Sequence, residues 1–126
     1  MKRISICIPT YNRDKYLINC LHSIIENQNF KNQNVEICIS DNCSSDNTEL
    51  VVREAQKKVS IKYCKNTSNL RIPRNFINVV NMAEGEFIWL LGDDDLLMPG
   101  ALKRLNKLID DNQDVDFFYV NSFHLT

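Results

Sequence analysis

Short apolar runs rich in β-branched residues alternate along this chain with stretches whose apolar positions recur every three or four residues. The first run, RISICIP (3–9), ends at Pro9, which cannot donate to a sheet ladder. Asp14 then precedes Leu17, Cys20, Leu21, Ile24 and Ile25, spaced as one face of an amphipathic helix. The polar connection NQNFKNQN leads to a second buried strand, VEICIS (35–40). Asp46 is placed to cap a helix through TELVVREAQKK, with Glu49 completing a capping box and Lys57 and Lys58 suiting the negative end of the dipole. SIKYCK (60–65) alternates in polarity and reads as a third strand, near an edge. Pro73 opens a helix that carries Phe76, Ile77, Val80 and Ala83 toward the core and that Gly85 ends. EFIWLL (86–91), the most apolar run, predicts a central strand. Pro99 fits the first turn of a helix with Leu102, Leu105, Leu108 and Ile109 on one face, and VDFFYVNSF (115–123) reads as a fifth strand.

The resulting order, β-α-β-α-β-α-β-α-β, predicts an α/β fold: a mostly parallel, Rossmann-like sheet flanked by helices on both faces. Residues 1–126 read as one domain without internal repeat, linker or low-complexity tract, a length that suits a single core. With 44 % apolar and 25 % charged residues, the composition is that of an ordinary soluble domain. Lys and Arg number 15 and Asp and Glu 16, a net charge of −1, so no basic field exists to hold nucleic acid and no nucleic-acid partner is expected. No apolar run approaches the roughly 20 residues of a membrane span, and the apolar stretch near the N-terminus is too short for a signal peptide. Five cysteines, an odd number with no CxxC spacing, read as free thiols of a reducing, cytoplasmic compartment.

In open α/β sheets ligands bind beyond the carboxyl ends of the strands. Three predicted strands end in polar clusters: Thr10-Tyr11-Asn12-Arg13, Asp41-Asn42 and Asp93-Asp94-Asp95. Their convergence on one sheet edge is the main reason to expect a site. The acidic triplet has two readings. Adjacent carboxylates repel unless a cation compensates them, and hard oxygen ligands suit Mg²⁺ or Mn²⁺, which take one or two carboxylates together with substrate phosphates. The plainer reading is an acidic turn at the N-terminal end of the next helix, although one carboxylate suffices for that. Asp41 reads either as an Asx-turn or as an acceptor for a base imide or ribose hydroxyl. Tyr11 either stacks on a base or is a half-buried aromatic, and Arg71 and Arg74 either bridge phosphates or face water. His22 and His124 have no partners that suggest a metal site or a triad. Neither GxSxG, GxGxxG nor GxxxxGK[ST] occurs, which disfavours hydrolase, dinucleotide and P-loop chemistry.

Taken together, SICIPTYNR, VEICISDNCSSDNT, NLRIPRNF and AEGEFIWLLGDDDLLMPGAL resemble the nucleotide-binding half of the family 2 inverting glycosyltransferases, which share the GT-A fold. The four stretches occur in the family's order and cover nearly the whole chain. The resemblance implies that Pro9, Thr10 and Tyr11 line the nucleotide, that Asp41 hydrogen-bonds the base, and that Arg74, in the pair Arg74-Asn75, lies beside the nucleotide. It implies that the triplet is the DxD-like metal motif, in one of two registers. Alignment on Met98-Pro99 makes Asp94 the direct ligand of Mn²⁺ or Mg²⁺, with Asp95 assisting and Asp93 toward the ribose, whereas reading Asp93-Asp94-Asp95 itself as DxD favours the outer pair. A UDP-sugar is the implied donor, and a glycan, lipid-linked molecule or protein the implied acceptor, with peripheral membrane association of the full-length protein. Two departures stand out. Many members carry Gly where Arg71 stands, and the catalytic base of the family belongs to a later region, so the chain is expected to be a donor-binding portion that does not turn over alone. A noncatalytic nucleotide-sugar-binding module is the alternative, but it would have no need of the acidic triplet. A phosphoacceptor receiver domain needs an acidic pair after the first strand, which Thr10-Tyr11-Asn12 does not supply.

Overall fold

The computed structural model describes residues 2–124. Four strands, β1 (Ile4–Thr10), β2 (Val35–Asp41), β3 (Ile61–Lys65) and β4 (Phe87–Leu90), form a parallel sheet in the order β3-β2-β1-β4. Helices α1 (Asp14–Ile25), α2 (Thr48–Gln56), α3 (Arg71–Asn81) and α4 (Ala101–Asp111) alternate with them, and a single 3-10 turn, Phe30–Asn32, precedes β2. The α/β expectation holds.

The two faces of the sheet differ in chemistry. Ile4, Ile6, Ile8, Val35, Ile37 and Ile39 point to one face and bury Leu17 and Ile24 of α1, Val52 of α2, and Leu102 and Ile109 of α4. The alternate residues point the other way, where Cys7 and Cys38 meet Val79 of α3. Ser5, Glu36 and Ser40 share that parity and are buried, so α3 packs on a surface of small and polar side chains. Glu36 is held there by the Ser5 hydroxyl at 2.5 Å, the Glu84 amide at 2.7 Å and Lys62 at 3.0 Å.

Several expectations need correction. β1 runs through Pro9 to Thr10, paired with β2 along its whole length. Pro9 shares the parity of Cys7, whose carbonyl faces β4 and accepts from Leu91; pairing with β4 has ended there, so the missing N–H costs no bond. β4 is an edge strand, pairing only with β1, and Ile88 and Leu90 on its second face remain about half exposed. Residues 115–124 carry no regular structure in place of the fifth strand. Phe118 packs edge-on against Phe87, ring centres 5.7 Å apart, while Phe117, Tyr119 and Phe123 face outward. An apolar run becomes a strand only where a ladder partner and a face to cover exist together.

On α3, Phe76 and Ile77 are exposed, and the buried residues are Asn75 and Val79. On α4, Leu108 is exposed whereas Leu102 and Ile109 are buried. Asn47 rather than Asp46 is the cap residue of α2; Asp46, one position earlier, accepts from the Thr48 amide and hydroxyl on Oδ1, while Glu49 turns to Lys65 rather than closing a capping box. Cys7, Cys20 and Cys38 are buried, Cys43 is half-buried and Cys64 exposed, all as free thiols. Among the described residues no helix is long and apolar enough to cross a membrane.

Candidate functional site

Because the strands are parallel, the turns after β1, β2 and β4 leave the sheet on one side. Thr10 and Asp41 are register partners at that edge. The turns after them are stapled together. The Asn12 amide donates to Ser44 Oγ at 2.9 Å, and the Ser45 amide donates to Asn12 Oδ1 at 2.8 Å. The Asp14 amide donates to Asp46 Oδ2, and the Asn47 amide to Asp14 Oδ2, both at 3.1 Å. Asn12 and Cys43 have positive φ, 49° and 68°, so each turn bends through the left-handed region under the restraint of its neighbour. Tyr11 projects from this pair of turns, 45 % exposed.

Asp41 lies beneath them, fully buried. Its Oδ1 accepts from the Ser44 amide at 2.9 Å and its Oδ2 from the Tyr63 hydroxyl at 2.7 Å. Burial pushes the Tyr63 phenol above its usual range, and the Asp41 acceptor adds to the rise, so Tyr63 stays a proton donor. Asp41 thus accepts from an amide three residues on, one further than in an Asx-turn, and Tyr63 is a partner that sequence reasoning missed.

The acidic turn reaches the same edge from β4. Asp93 is buried and accepts from Thr10 Oγ1 at 2.9 Å on Oδ2 and from Arg13 Nε at 3.1 Å on Oδ1. Burial raises its pKa, outweighing the opposing pull of the Thr10 hydroxyl and Arg13. Asp94 is exposed and pairs with an Arg13 Nη at 3.1 Å; Asp95 is exposed and accepts from the Gly92 amide at 2.9 Å. Cys20, on α1, donates its thiol to the Gly92 carbonyl at 3.6 Å. Burial pushes that thiol up to about 12, with Asp93, Asp95 and Asp94 adding to the rise, so it remains protonated as a donor. Ser23 and Gln28 of the α1 region anchor the segment between the acidic turn and α4, Ser23 Oγ accepting from the Leu97 amide at 3.0 Å and Gln28 Oε1 from the Leu102 amide at 3.1 Å.

A buried amide network closes the fourth side. Asn75 Oδ1 accepts from Ser40 Oγ at 2.7 Å and from Asn66 Nδ2 at 3.0 Å, while its Nδ2 donates to the Ser40 carbonyl at 3.1 Å. Asn42 accepts from the Leu70 amide at 2.8 Å and donates to Asn69, which in turn accepts from the Arg71 amide at 2.8 Å. These bonds fix the start of α3, where Arg71 is held at φ 69°. Glycine adopts that conformation without the clash that a Cβ brings. Arg74, one turn on, is exposed.

The structure thus gathers Pro9, Thr10, Tyr11, Asp41, Asp93, Asp94 and Asp95 at one edge and puts Arg74 on the first turn of the neighbouring helix. Sequence reasoning missed Arg13, Asn75 and Tyr63 as organising groups. Asn75 carried a signal in the concentration of asparagines after the strand ends (Asn42, Asn66, Asn69, Asn75, Asn78). Two clefts lie elsewhere, one between β4 and Phe118, the other at the opposite strand ends around Val35 and Lys62. Neither holds the clustered carboxylates of the strand ends.

A model of the family described as glycosyl transferase family 2 matches residues 5–123. The chain belongs to this family. Among curated family members it is 41 % identical over 114 residues to the abequosyltransferase RfbV of Salmonella typhimurium, covering 89 % of this chain and 34 % of that protein. It is 42 % identical over 107 residues to the GalNAc(5)-diNAcBac-PP-undecaprenol beta-1,3-glucosyltransferase of Campylobacter jejuni, covering 83 % of this chain and 34 % of that one. The structure of Staphylococcus aureus TarS 1-349 in complex with UDP-GlcNAc superposes with a TM-score of 0.82 at 29 % identity, over 88 % of this chain and 32 % of that 1-349 chain. These structural neighbours have the GT-A fold, and so does this chain over the part it spans. It spans about a third of the length of the curated relatives it matches.

Proposed function

We propose that this chain is the donor-binding part of a metal-assisted, inverting glycosyltransferase that takes a nucleoside-diphosphate sugar, UDP-sugar first among them. The observation that carries this reading is the stapling of three strand-end turns, those of Thr10, Asp41 and Asp93, into one polar edge. UDP and UDP-GlcNAc complexes of TarS, at 29 % identity, support the choice of nucleotide.

Pro9, Thr10 and Tyr11 line the nucleotide in this proposal, with the exposed Tyr11 ring against the base. Asp41 acts from the floor: each carboxylate oxygen has a lone pair beyond its internal bond, and the base imide would reach one of these once the turn covering the buried carboxylate shifts. Asp93, oriented by Thr10, faces the ribose, and Arg74 reaches the phosphates. The donor set suits a hard divalent ion. Asp94 Oδ1 and Asp95 Oδ2 both lie near Gly92, 3.0 and 2.9 Å from where an added Cβ would stand, so two carboxylate oxygens border the space that a side chain there would fill. Mn²⁺ and Mg²⁺ accept such a pair and complete their shells with phosphate and water. Among the described residues no group of three or more His, Cys, Asp or Glu side chains is arranged to hold a metal ion. When bound, the ion would offset the charge developing on the leaving diphosphate.

In the transfer, an acceptor hydroxyl attacks the anomeric carbon, the bond from that carbon to the diphosphate oxygen breaks, and the hydroxyl proton passes to a carboxylate outside the donor half. The acceptor is a glycan, a lipid-linked molecule or a protein, reached from the cytoplasmic side, with the full-length protein peripheral to the membrane.

Calorimetric titration with UDP, and with GDP as control, tests the proposal when run with Mn²⁺, with excess chelator, and on Asp94→Ala. UDP binding that needs Mn²⁺ and weakens at least tenfold in Asp94→Ala is the expected result. Binding indifferent to metal would remove the assignment of Asp94 and Asp95, and absence of binding to either nucleotide would overturn the donor site.

A further inference from the structure

Arg13, the residue just before α1, lies across the acidic turn. Its Nε stands 3.1 Å from Asp93 Oδ1 and one Nη 3.1 Å from Asp94 Oδ2, and its guanidinium carbon lies 4.7 Å from the centroid of the Tyr16 ring. One planar cation thus bridges two carboxylates over an aromatic face, and one of those carboxylates is buried. This is a more ordered arrangement than a lone surface ion pair, because the ring and two acidic partners fix the guanidinium together. It also links the turn after β1 to the turn after β4, the two segments that Thr10 and Asp93 join from beneath.

Three successive carboxylates require positive compensation. Arg13 supplies it on Asp93 and Asp94, whereas Asp95 is satisfied by a neutral backbone amide. Asp94 therefore has two faces. Oδ2 is taken by Arg13, and Oδ1 lies toward Gly92.

We infer that Arg13 is a built-in counter-cation of the acidic turn, which competes for Asp94 and thereby sets how weakly the turn holds a divalent cation before the nucleotide arrives. The inference rests on the reading of Asp94 and Asp95 as cation ligands. The physical reason is twofold. A divalent ion sharing Asp94 must meet the repulsion of a guanidinium in contact with the same carboxylate, or else break that ion pair. Removing the Arg13 charge lifts both penalties while leaving the three carboxylates in place. Arg13 is a positioning residue in this scheme, and it keeps an acidic turn from being filled by ions that have no donor to activate.

The test is direct Mn²⁺ titration of the chain without nucleotide, read from the electron paramagnetic resonance signal of free Mn²⁺. Wild type, Arg13→Met, Arg13→Gln and Arg13→Lys are compared, each checked for its fold by circular dichroism. The neutral variants should bind Mn²⁺ about fivefold more tightly, the scale of a partly exposed ion pair, while Arg13→Lys stays within about twofold of wild type on the same scale. Adding Asp94→Asn to Arg13→Met should abolish the gain. Neutral variants that fold and bind Mn²⁺ as wild type does, or more weakly, would overturn the inference while leaving the metal reading intact. Absence of Mn²⁺ binding in every variant, with UDP as well as without, would overturn both.

Discussion

Thr10 donates its hydroxyl to Asp93 at 2.9 Å, joining the end of β1 to the turn after β4 across 83 residues of sequence. The bond spans the edge where the two turns diverge, and it offsets part of the upward push that burial gives the Asp93 carboxyl. Replacing Thr10 by Val keeps the shape and deletes the donor. Loss of a bond to a charged, buried acceptor should lower stability by about 1.5–3 kcal/mol. UDP binding should weaken in parallel, and urea unfolding with calorimetry on the same variant would measure both.

Asn75 and Phe76 offer an opposed pair. Asn75 is buried and bonded to Ser40 and Asn66, while Phe76 is 39 % exposed. Asn75→Ala should cost about 2–3 kcal/mol, because it strands the Ser40 hydroxyl and the Asn66 amide in the interior. Phe76→Ala should cost about 1 kcal/mol, since over a third of the residue is already in water. Urea midpoints of the two variants would give the order, the reverse of what hydropathy suggests.

That reversal shows where the sequence could be read and where it could not. The strands, the parallel α/β order and the convergence of Thr10, Asp41 and the acidic triplet were legible in periodicity and in polar residues at strand ends. What failed depended on the particular surface each element meets. The α3 face of the sheet is built from Ser5, Cys7, Glu36, Cys38 and Ser40, so it selects Asn75 and Val79 where an apolar stripe would select Phe76 and Ile77. Residues 115–123 have strand-like composition, but strand formation depends on a pairing edge, which composition does not encode. The role of Arg13 needed three dimensions, since its partners lie about 80 residues away.

Arg71 begins α3 at φ 69°, a conformation costing a residue with a Cβ about 1–2 kcal/mol. Arg71→Gly should therefore raise stability by about 0.5–1 kcal/mol after the added freedom of the unfolded chain is subtracted. Arg71→Ala keeps the strained backbone and should bring no such gain. Urea denaturation of the two variants separates relief of the backbone from loss of the side chain.

At the opposite end of the sheet, burial pushes the Glu36 carboxyl up, but bonds from Ser5, Glu84 and Lys62 outweigh it and hold the group below its usual range. A depressed carboxyl adds stability above its unfolded pKa of about 4.3 and loses it as pH falls through the lower folded value. Glu36→Gln should be less stable than wild type by about 1–3 kcal/mol at pH 7. The gap should close as the pH is lowered from 5 toward 3, which urea midpoints across that range would show.

The central claim is that the turns after β1, β2 and β4 together hold a nucleoside diphosphate. Hydrogen–deuterium exchange with and without saturating UDP and Mn²⁺ tests it most directly. Protection should appear in the peptides containing residues 10–14, 41–47 and 92–96, with little change around Val35 or Lys62 at the opposite strand ends. Protection confined to those opposite ends, or to the cleft beside Phe118, would contradict the account.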